Sequence, residues 1–227
     1  MRRLLLCAVF LLATLVPQTV HAAVILSFSQ NGGLNLFTGN ETLGTTVLNA
    51  DFIPVTITTL DENAVNLLAF FSLDATSTAS VTNQGNNIYT QPYSGTFSIT
   101  STAGGGTNYL SGVFSGIDLG ILGGTTMVLG ATQPPGSLTF TSDIAGMPLD
   151  VARAMALGLT NVFPAVSISN NSFADFSAAV AGNFSANDTP PPPPPVVPEP
   201  ATMVMLGTGL AALYARRRKA SKSTPVA

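Results

Sequence analysis

Apolar and polar residues alternate in short segments through the middle of the chain. Residues 53–59 read I-P-V-T-I-T-T and residues 95–101 read G-T-F-S-I-T-S, so apolar and hydroxyl-bearing side chains take turns. A period of two residues is typical of a β-strand, in which successive side chains point to opposite faces. Each segment therefore predicts a strand with one apolar face for a core and one polar face for solvent.

Further strands are predicted where β-branched and aromatic residues cluster between turn-forming residues. These segments are 24–28, 67–73, 79–82, 109–114, 125–129, 138–141, 166–169 and 173–184. Turns rich in glycine, asparagine or proline separate them at 31–33, 84–87, 104–106, 123–124 and 134–136. Short strands at regular intervals with such turns predict a mainly β fold, namely a single β-sandwich-like domain over residues 23–189.

Residues 148–158 depart from this pattern. They read P-L-D-V-A-R-A-M-A-L-G, which places good helix formers between a proline and a glycine. Proline is favoured at the start of a helix and glycine just beyond its end. The segment therefore predicts one short helix of about two turns.

The N-terminus has the pattern of a secretory signal peptide. Residues 1–22 contain an arginine pair, an apolar stretch and a final V-H-A. We expect Sec-type export machinery to engage this segment and cleavage to follow Ala22, with cleavage after Ala23 as the alternative. Cleavage removes the chain's only cysteine, Cys7, and its only histidine, His21.

Loss of the thiol and the imidazole excludes several kinds of site from the mature chain. Zinc sites built from cysteine and histidine are excluded, and so are catalytic sites that need a thiol nucleophile or an imidazole base. We accordingly predict no enzymatic activity, no cofactor and no metal site. A hydrolase that uses paired acids, such as Asp143 and Asp150, remains a weaker alternative because it needs a cleft.

Charge is scarce and negative. Between residues 23 and 189 one basic residue, Arg153, stands against ten acidic ones, a net charge of −9. Such a domain repels phosphate backbones, so nucleic acid is excluded as a partner. The cluster Asp61-Glu62-Asn63 offers oxygen ligands for Ca²⁺, but it lacks the spacing of a calcium-binding loop, which favours an ordinary polar turn.

Hydroxyl-rich strand faces suggest a surface for ice or sugar, although a solvated sheet face is the favoured interpretation. The side chains that raise this alternative are Thr56, Thr58, Ser98 and Thr100. Sugar-binding modules usually present exposed aromatic rings. This domain has no tryptophan, and its tyrosines are Tyr89, Tyr93 and Tyr109.

The C-terminal region has five parts in a fixed order. A proline-rich linker, residues 190–197, precedes the tripeptide Pro198-Glu199-Pro200. An uncharged run follows at 201–215, then a basic block and a short tail at 220–227. The uncharged run predicts a transmembrane helix, and the basic block predicts that its C-terminal end and the tail are cytoplasmic. The basic block consists of Arg216, Arg217, Arg218 and Lys219.

Residues 198–219 closely resemble the PEP-CTERM sorting signal of Gram-negative bacteria. The resemblance rests on Pro198-Glu199-Pro200, on G-T-G-L-A at 207–211 and on the basic block. It implies that an exosortase, a membrane-embedded cysteine transpeptidase, recognises and processes the tail. The precursor is then anchored in the inner membrane before the protein reaches the cell surface or extracellular matrix. The same tail is also known as an ice-binding protein C-terminal domain, a label that describes the tail alone. A plain membrane anchor is the alternative.

The sequence as a whole predicts an exported structural or adhesive protein of the cell surface or extracellular matrix. Extracellular polysaccharide is a further expected partner, as is the inner membrane through residues 201–215. The alternative is a carbohydrate-binding, or less favourably hydrolytic, secreted β domain on a plain membrane anchor.

Overall fold

The computed structural model describes residues 23–187 apart from 33, 35, 134, 135 and 150. The predicted signal peptide, proline-rich linker and sorting signal lie outside the described residues. Within the described part of the chain, no helix has both the length and the apolar character needed to cross a membrane.

Strands dominate the described residues. They are β1 (Ala23–Gln30), β2 (Phe37–Thr42), β3 (Thr45–Leu60), β4 (Asn63–Ser77), β5 (Thr82–Gly85), β6 (Ile88–Thr102), β7 (Gly105–Ile121), β8 (Thr126–Gln133), β9 (Ser137–Thr141), β10 (Val151–Phe163), β11 (Ile168–Ser169), β12 (Ser172–Phe173) and β13 (Phe176–Asn187). The prediction of a mainly β domain is confirmed. The predicted strand at 79–82 is shifted, because β5 begins at Thr82, and the segment 173–184 divides between β12 and β13.

The main sheet closes on itself. Its strands follow the order β6-β4-β3-β1-β13-β10-β8-β7, and β7 pairs back to β6. These neighbours are antiparallel throughout. β2, β5 and β9 extend the sheet at its margins, whereas β11 and β12 form a separate hairpin. The arrangement differs from two stacked sheets in that one continuous ladder encloses the core.

Five phenylalanine rings from five strands form the centre of this core. The centroids of Phe28 and Phe71 are 4.9 Å apart, and so are those of Phe97 and Phe184. Phe140 meets Phe184 edge-on at 5.9 Å. Aromatic pairs of this kind add about 0.5–1.5 kcal/mol to the gain from burying their apolar area. The apolar faces predicted from the alternation therefore meet inside the closed sheet.

The helix predicted at 148–158 is wrong, because the chain forms a strand, β10, from Val151 onward. β10 pairs with β13 on one side and β8 on the other. Met155, Leu157 and Leu159 are buried, whereas Ala156 between them is exposed. Burial with a period of two is what a strand requires, and pairing on both sides overrides the helix propensity of alanine.

Candidate functional site

A groove of about 590 Å³ lies on the outer face of the sheet, across strands β3, β4, β6, β7 and β9. Polar side chains on these strands point away from the core because each alternates with a buried apolar neighbour, as Thr96 and Ser98 do with Phe97. The polar side chains that line the groove are Asn49, Asp51, Ser72, Asp74, Thr96, Ser98, Ser111, Thr139 and Thr141.

Strand register aligns the groove hydroxyls in a row. Ser72 lies opposite Ser98, Ser98 opposite Ser111, and Ser111 opposite Thr141. Neighbouring strands are about 4.8 Å apart, so four such residues span about 14 Å across the sheet. The register therefore places one hydroxyl per strand in a row across β4, β6, β7 and β9.

A second row lies beside the first. Asp74 on β4 is opposite Thr96, and Thr96 is opposite Val113, which in turn is opposite Thr139. Residues two apart along a strand are about 6.8 Å apart. The two rows form a polar grid with one apolar member, Val113, which is 53% exposed.

Hydrogen bonds fix part of this grid. The hydroxyls of Ser111 and Thr141 are 2.8 Å apart, and the Asn108 amide donates to the Ser111 oxygen at 2.9 Å. The Ser72 hydroxyl accepts from the Phe52 backbone N–H at 3.3 Å. A hydroxyl has one donor and two acceptor sites, so these contacts orient the side chains and leave sites for a ligand.

A bulge in β3 supplies the groove with an aromatic ring. The register with β4 shifts between Ala50 and Ile53, and Phe52 there has a positive φ of 46°. Phe52 is 39% exposed and lines the groove beside the exposed carboxylate of Asp51. Bulges commonly redirect side chains next to functional sites, and a non-glycine residue in this backbone region costs about 1–3 kcal/mol.

The structure separates the hydroxyls that the sequence grouped as one surface. Ser98 lines the groove. Thr56 instead donates to the Asn31 side chain at 2.6 Å, Thr58 to the Ser27 carbonyl and Thr100 to the Thr102 carbonyl. Alternation shows which side of a strand is polar, but it does not show which strands are neighbours.

The tyrosines do not form an exposed platform. Tyr93 is 1% exposed, and Tyr89 and Tyr109 are half-buried against the core. Burial, with the Asp118 charge as a second cause, raises the pKa of Tyr93. In the groove, sequence reasoning missed the exposed ring of Phe52, because nothing in I-P-V marks the bulge before it.

The acidic segments predicted as alternatives have structural roles. Asp61 and Glu62 form the turn between β3 and β4, and the Asn63 side chain donates to the Asp61 carbonyl at 2.7 Å. Asp143 accepts a hydrogen bond from the Asn108 N–H at 2.8 Å. Its proposed partner, Asp150, lies outside the described residues. No group of three or more acidic, histidine or cysteine side chains suited to a metal occurs among the residues that the structure describes.

The similarity to known proteins lies in the C-terminal region of the chain. The chain carries a PEP-CTERM protein-sorting motif at residues 196–219. The resemblance seen in the sequence is thereby confirmed. The motif implies an exported protein that is processed at the membrane, with an exosortase as the processing partner.

The body of the chain has no such counterpart. No curated protein and no solved structure matches the chain. The individual roles of Pro198, Glu199, Pro200 and the basic block stay predictions, as does cleavage between Ala22 and Ala23. Ala23 itself opens β1, where it lies opposite Ala186 of β13.

Proposed function

We propose that this exosortase-sorted protein is an adhesive component of the cell surface or extracellular matrix, and that its β domain binds extracellular polysaccharide in the outer groove. The observation that carries the proposal is the groove itself. It combines rows of hydroxyls, two carboxylates and an exposed aromatic ring on one rigid sheet face.

The lining of the groove indicates the class of polysaccharide. Hydroxyl and carboxylate oxygens form hydrogen bonds with sugar hydroxyls, and an aromatic ring covers the apolar face of a sugar. Asp51 and Asp74 line the groove, whereas no basic residue of the described part of the chain does so. Like charges repel, so the proposed ligand is a neutral or amine-bearing glycan, and polymers of uronic acids are disfavoured.

The proposed activity is binding without hydrolysis. Cleavage of a glycoside needs a carboxylic acid kept protonated by a shielded environment, beside a second carboxylate. Asp51 and Asp74 are exposed to solvent. The carboxyl that is shielded, Asp118, lies in the interior of the closed sheet and does not line the groove.

Co-sedimentation of the full-length protein in mild detergent with insoluble polysaccharides tests the proposal. The double variant Phe52→Ala, Thr96→Val should bind a neutral glucan at least about tenfold more weakly, because each lost contact is expected to contribute about 1 kcal/mol. Thr160→Val makes the same chemical change at an exposed position on β10 outside the groove and should bind like the wild type. Equal binding by all three proteins would refute the groove as the adhesive site.

A further inference from the structure

The core contains a polar cluster, which is defined here by six buried side chains. Most of the interior is apolar, but Gln91 and Asp118 are fully buried. Buried residues with hydroxyl groups lie in the same cluster. The remaining members of the polar cluster are Thr46, Ser77, Tyr93 and Ser172. Burying polar groups is unfavourable unless they are paired, so the pattern of pairing within the cluster is informative.

Gln91 on β6 fastens the β11–β12 hairpin to the closed sheet. Its amide nitrogen donates to the Ser172 hydroxyl at 3.3 Å, to the Ser77 hydroxyl at 3.2 Å and to the Ala79 carbonyl at 2.9 Å. Its oxygen accepts from the Phe173 N–H at 3.0 Å and the Tyr93 hydroxyl at 3.1 Å. Two of these partners, Ser172 and Phe173, are the whole of β12.

Asp118 is the register partner of Gln91 on the adjacent strand β7. Both side chains are buried, and directly opposite residues have Cβ atoms about 5 Å apart. The hydrogen bonds of the Gln91 amide go elsewhere, and neither carboxyl oxygen of Asp118 has a hydrogen-bond partner among the described residues. The Asp118 carboxyl therefore lacks a hydrogen-bond donor, whereas the Gln91 amide beside it already donates to other groups.

Residues 166–173, called the hairpin segment because they contain β11 and β12, pack next to Asp118. Gly120, two residues further along β7 on the same face, has no side chain, and the space above it is filled by Val166 and Phe173. A Cβ atom at Gly120 would lie 2.9 Å from Val166 Cγ1 and 3.3 Å from Phe173 Cε1. The strand thus leaves room for this segment at the place where Asp118 points inward.

Tyr93 on β6 is a titratable group that interacts with the Asp118 charge, and Tyr89, on the same face of β6, lies opposite Gly120. β6 contributes Gln91 and Tyr93, β8 contributes Leu129, and the hairpin segment contributes Val166 and Phe173. Burial raises the pKa of Asp118 to about 7. The Leu119 N–H has a smaller effect that lowers this pKa, although it makes no hydrogen bond of normal geometry with the carboxyl. Tyr93 stays protonated through this range, because burial also raises its pKa.

We propose that Asp118 and Gln91 form a pH-dependent latch on the β11–β12 hairpin. When Asp118 is protonated, the Gln91 amide holds Ser172 and Phe173 against β6. When Asp118 loses its proton to solvent, the buried carboxylate needs a donor, and the nearest side-chain N–H groups on the adjacent strand are those of Gln91. Rotation of the Gln91 amide toward Asp118 removes its hydrogen bonds to Ser172 and Phe173. The bonds from Ser172 to the Gly44 carbonyl and from Thr46 to the Phe173 carbonyl remain, so the hairpin loosens at neutral to mildly alkaline pH.

Hydrogen exchange of the full-length protein in mild detergent tests the latch between pH 5 and 8.5. Protection factors, which remove the intrinsic pH dependence of exchange, should fall at least about tenfold at residues 168–173 as pH rises, whereas those of β1 and β13 change much less. Asp118→Asn should make the protection of the hairpin independent of pH. Asp61→Asn, which changes a half-buried acid in a turn with positive φ, should behave as the wild type does.

A second variant and a second measurement keep the test decisive. If Asp118→Asn fails to fold, Asp118→Leu removes the titration with a side chain of similar length, and it should give the same flat profile. Carboxyl ¹³C shifts should place the titration of Asp118 at the same midpoint as the loss of hairpin protection. A hairpin whose protection does not vary with pH in the wild type, or varies equally in the Asp118 variants, would overturn the latch.

Discussion

At the residue scale, the C-terminal half of β7 inverts the usual polarity of a strand. Ile117 is 54% exposed and Leu119 is 39% exposed, whereas Asp118 between them is buried. Reading I-D-L from the sequence places the acid outside, because acidic residues are rarely buried. Register with Gln91 and packing of the hairpin beside Gly120 decide the orientation instead. Neither contact is local in sequence, so this part of the interior could not be predicted.

Asp118 should make the stability of the domain depend on pH. Its carboxyl has a pKa of about 7 in the folded protein and an ordinary value of 3.8. The unfolded chain therefore binds fewer protons between these values, and the free energy of unfolding falls as pH rises from about 4 to 7 and then levels off. At 1.36 kcal/mol per pKa unit the fall is at most about 4 kcal/mol.

Urea unfolding at pH 4.5, 6 and 7.5 measures this contribution. Asp118→Leu should flatten the profile, and Asp61→Asn should leave it as in the wild type. An Asp118→Leu protein that loses stability with pH as steeply as the wild type would show that other carboxylates cause the slope.

At the element scale, the strands with clear alternation could be predicted and the alanine-rich one could not. Residues 53–59 and 95–101 lie within β3 and β6. The segment 148–158 has a helical composition, but Met155 and Leu157 within it and Leu159 just after it are buried with a period of two. Propensity favoured the helix, and pairing with β8 and β13 selected the strand.

The register of β10 can be tested by two neighbouring substitutions. Leu157→Ala removes a fully buried side chain and should lower the free energy of unfolding by about 2–5 kcal/mol. Ala156→Ser changes an exposed position on the same strand and should alter it by less than about 0.5 kcal/mol. Chemical denaturation measures both. Similar losses for the two variants would be inconsistent with an alternating strand.

At the scale of the whole molecule, the sorting motif was recognisable because its parts are contiguous, whereas the closed sheet depends on distant pairings. β1 pairs with β13 at opposite ends of the domain, and β6 with β7 completes the ring. The groove also depends on pairings between strands, because its rows of hydroxyls form only when β4, β6, β7 and β9 are neighbours.

Substitutions in the tail should separate anchoring from processing. Glu199→Ala leaves the uncharged run 201–215 intact, so membrane insertion should persist while processing by the exosortase is lost. Replacing Arg216 to Lys219 with glutamine should instead weaken retention in the membrane, because a basic block resists translocation. Cell fractionation and gel mobility in the native host distinguish the two. Processing of Glu199→Ala at the wild-type rate would favour a plain membrane anchor.

The most direct measurement of the central claim is the footprint of a bound glycan on the folded protein. Hydrogen exchange or amide chemical shifts of the full-length protein should be recorded with and without a soluble neutral oligosaccharide. We predict that the changes concentrate at residues 94–100, 111–115 and 137–141 and at Phe52, where the groove lies, and that the same oligosaccharide has no effect on the Phe52→Ala, Thr96→Val protein. Saturable changes confined to another face of the sheet, or none with any neutral or amine-bearing glycan, would contradict adhesion through this groove.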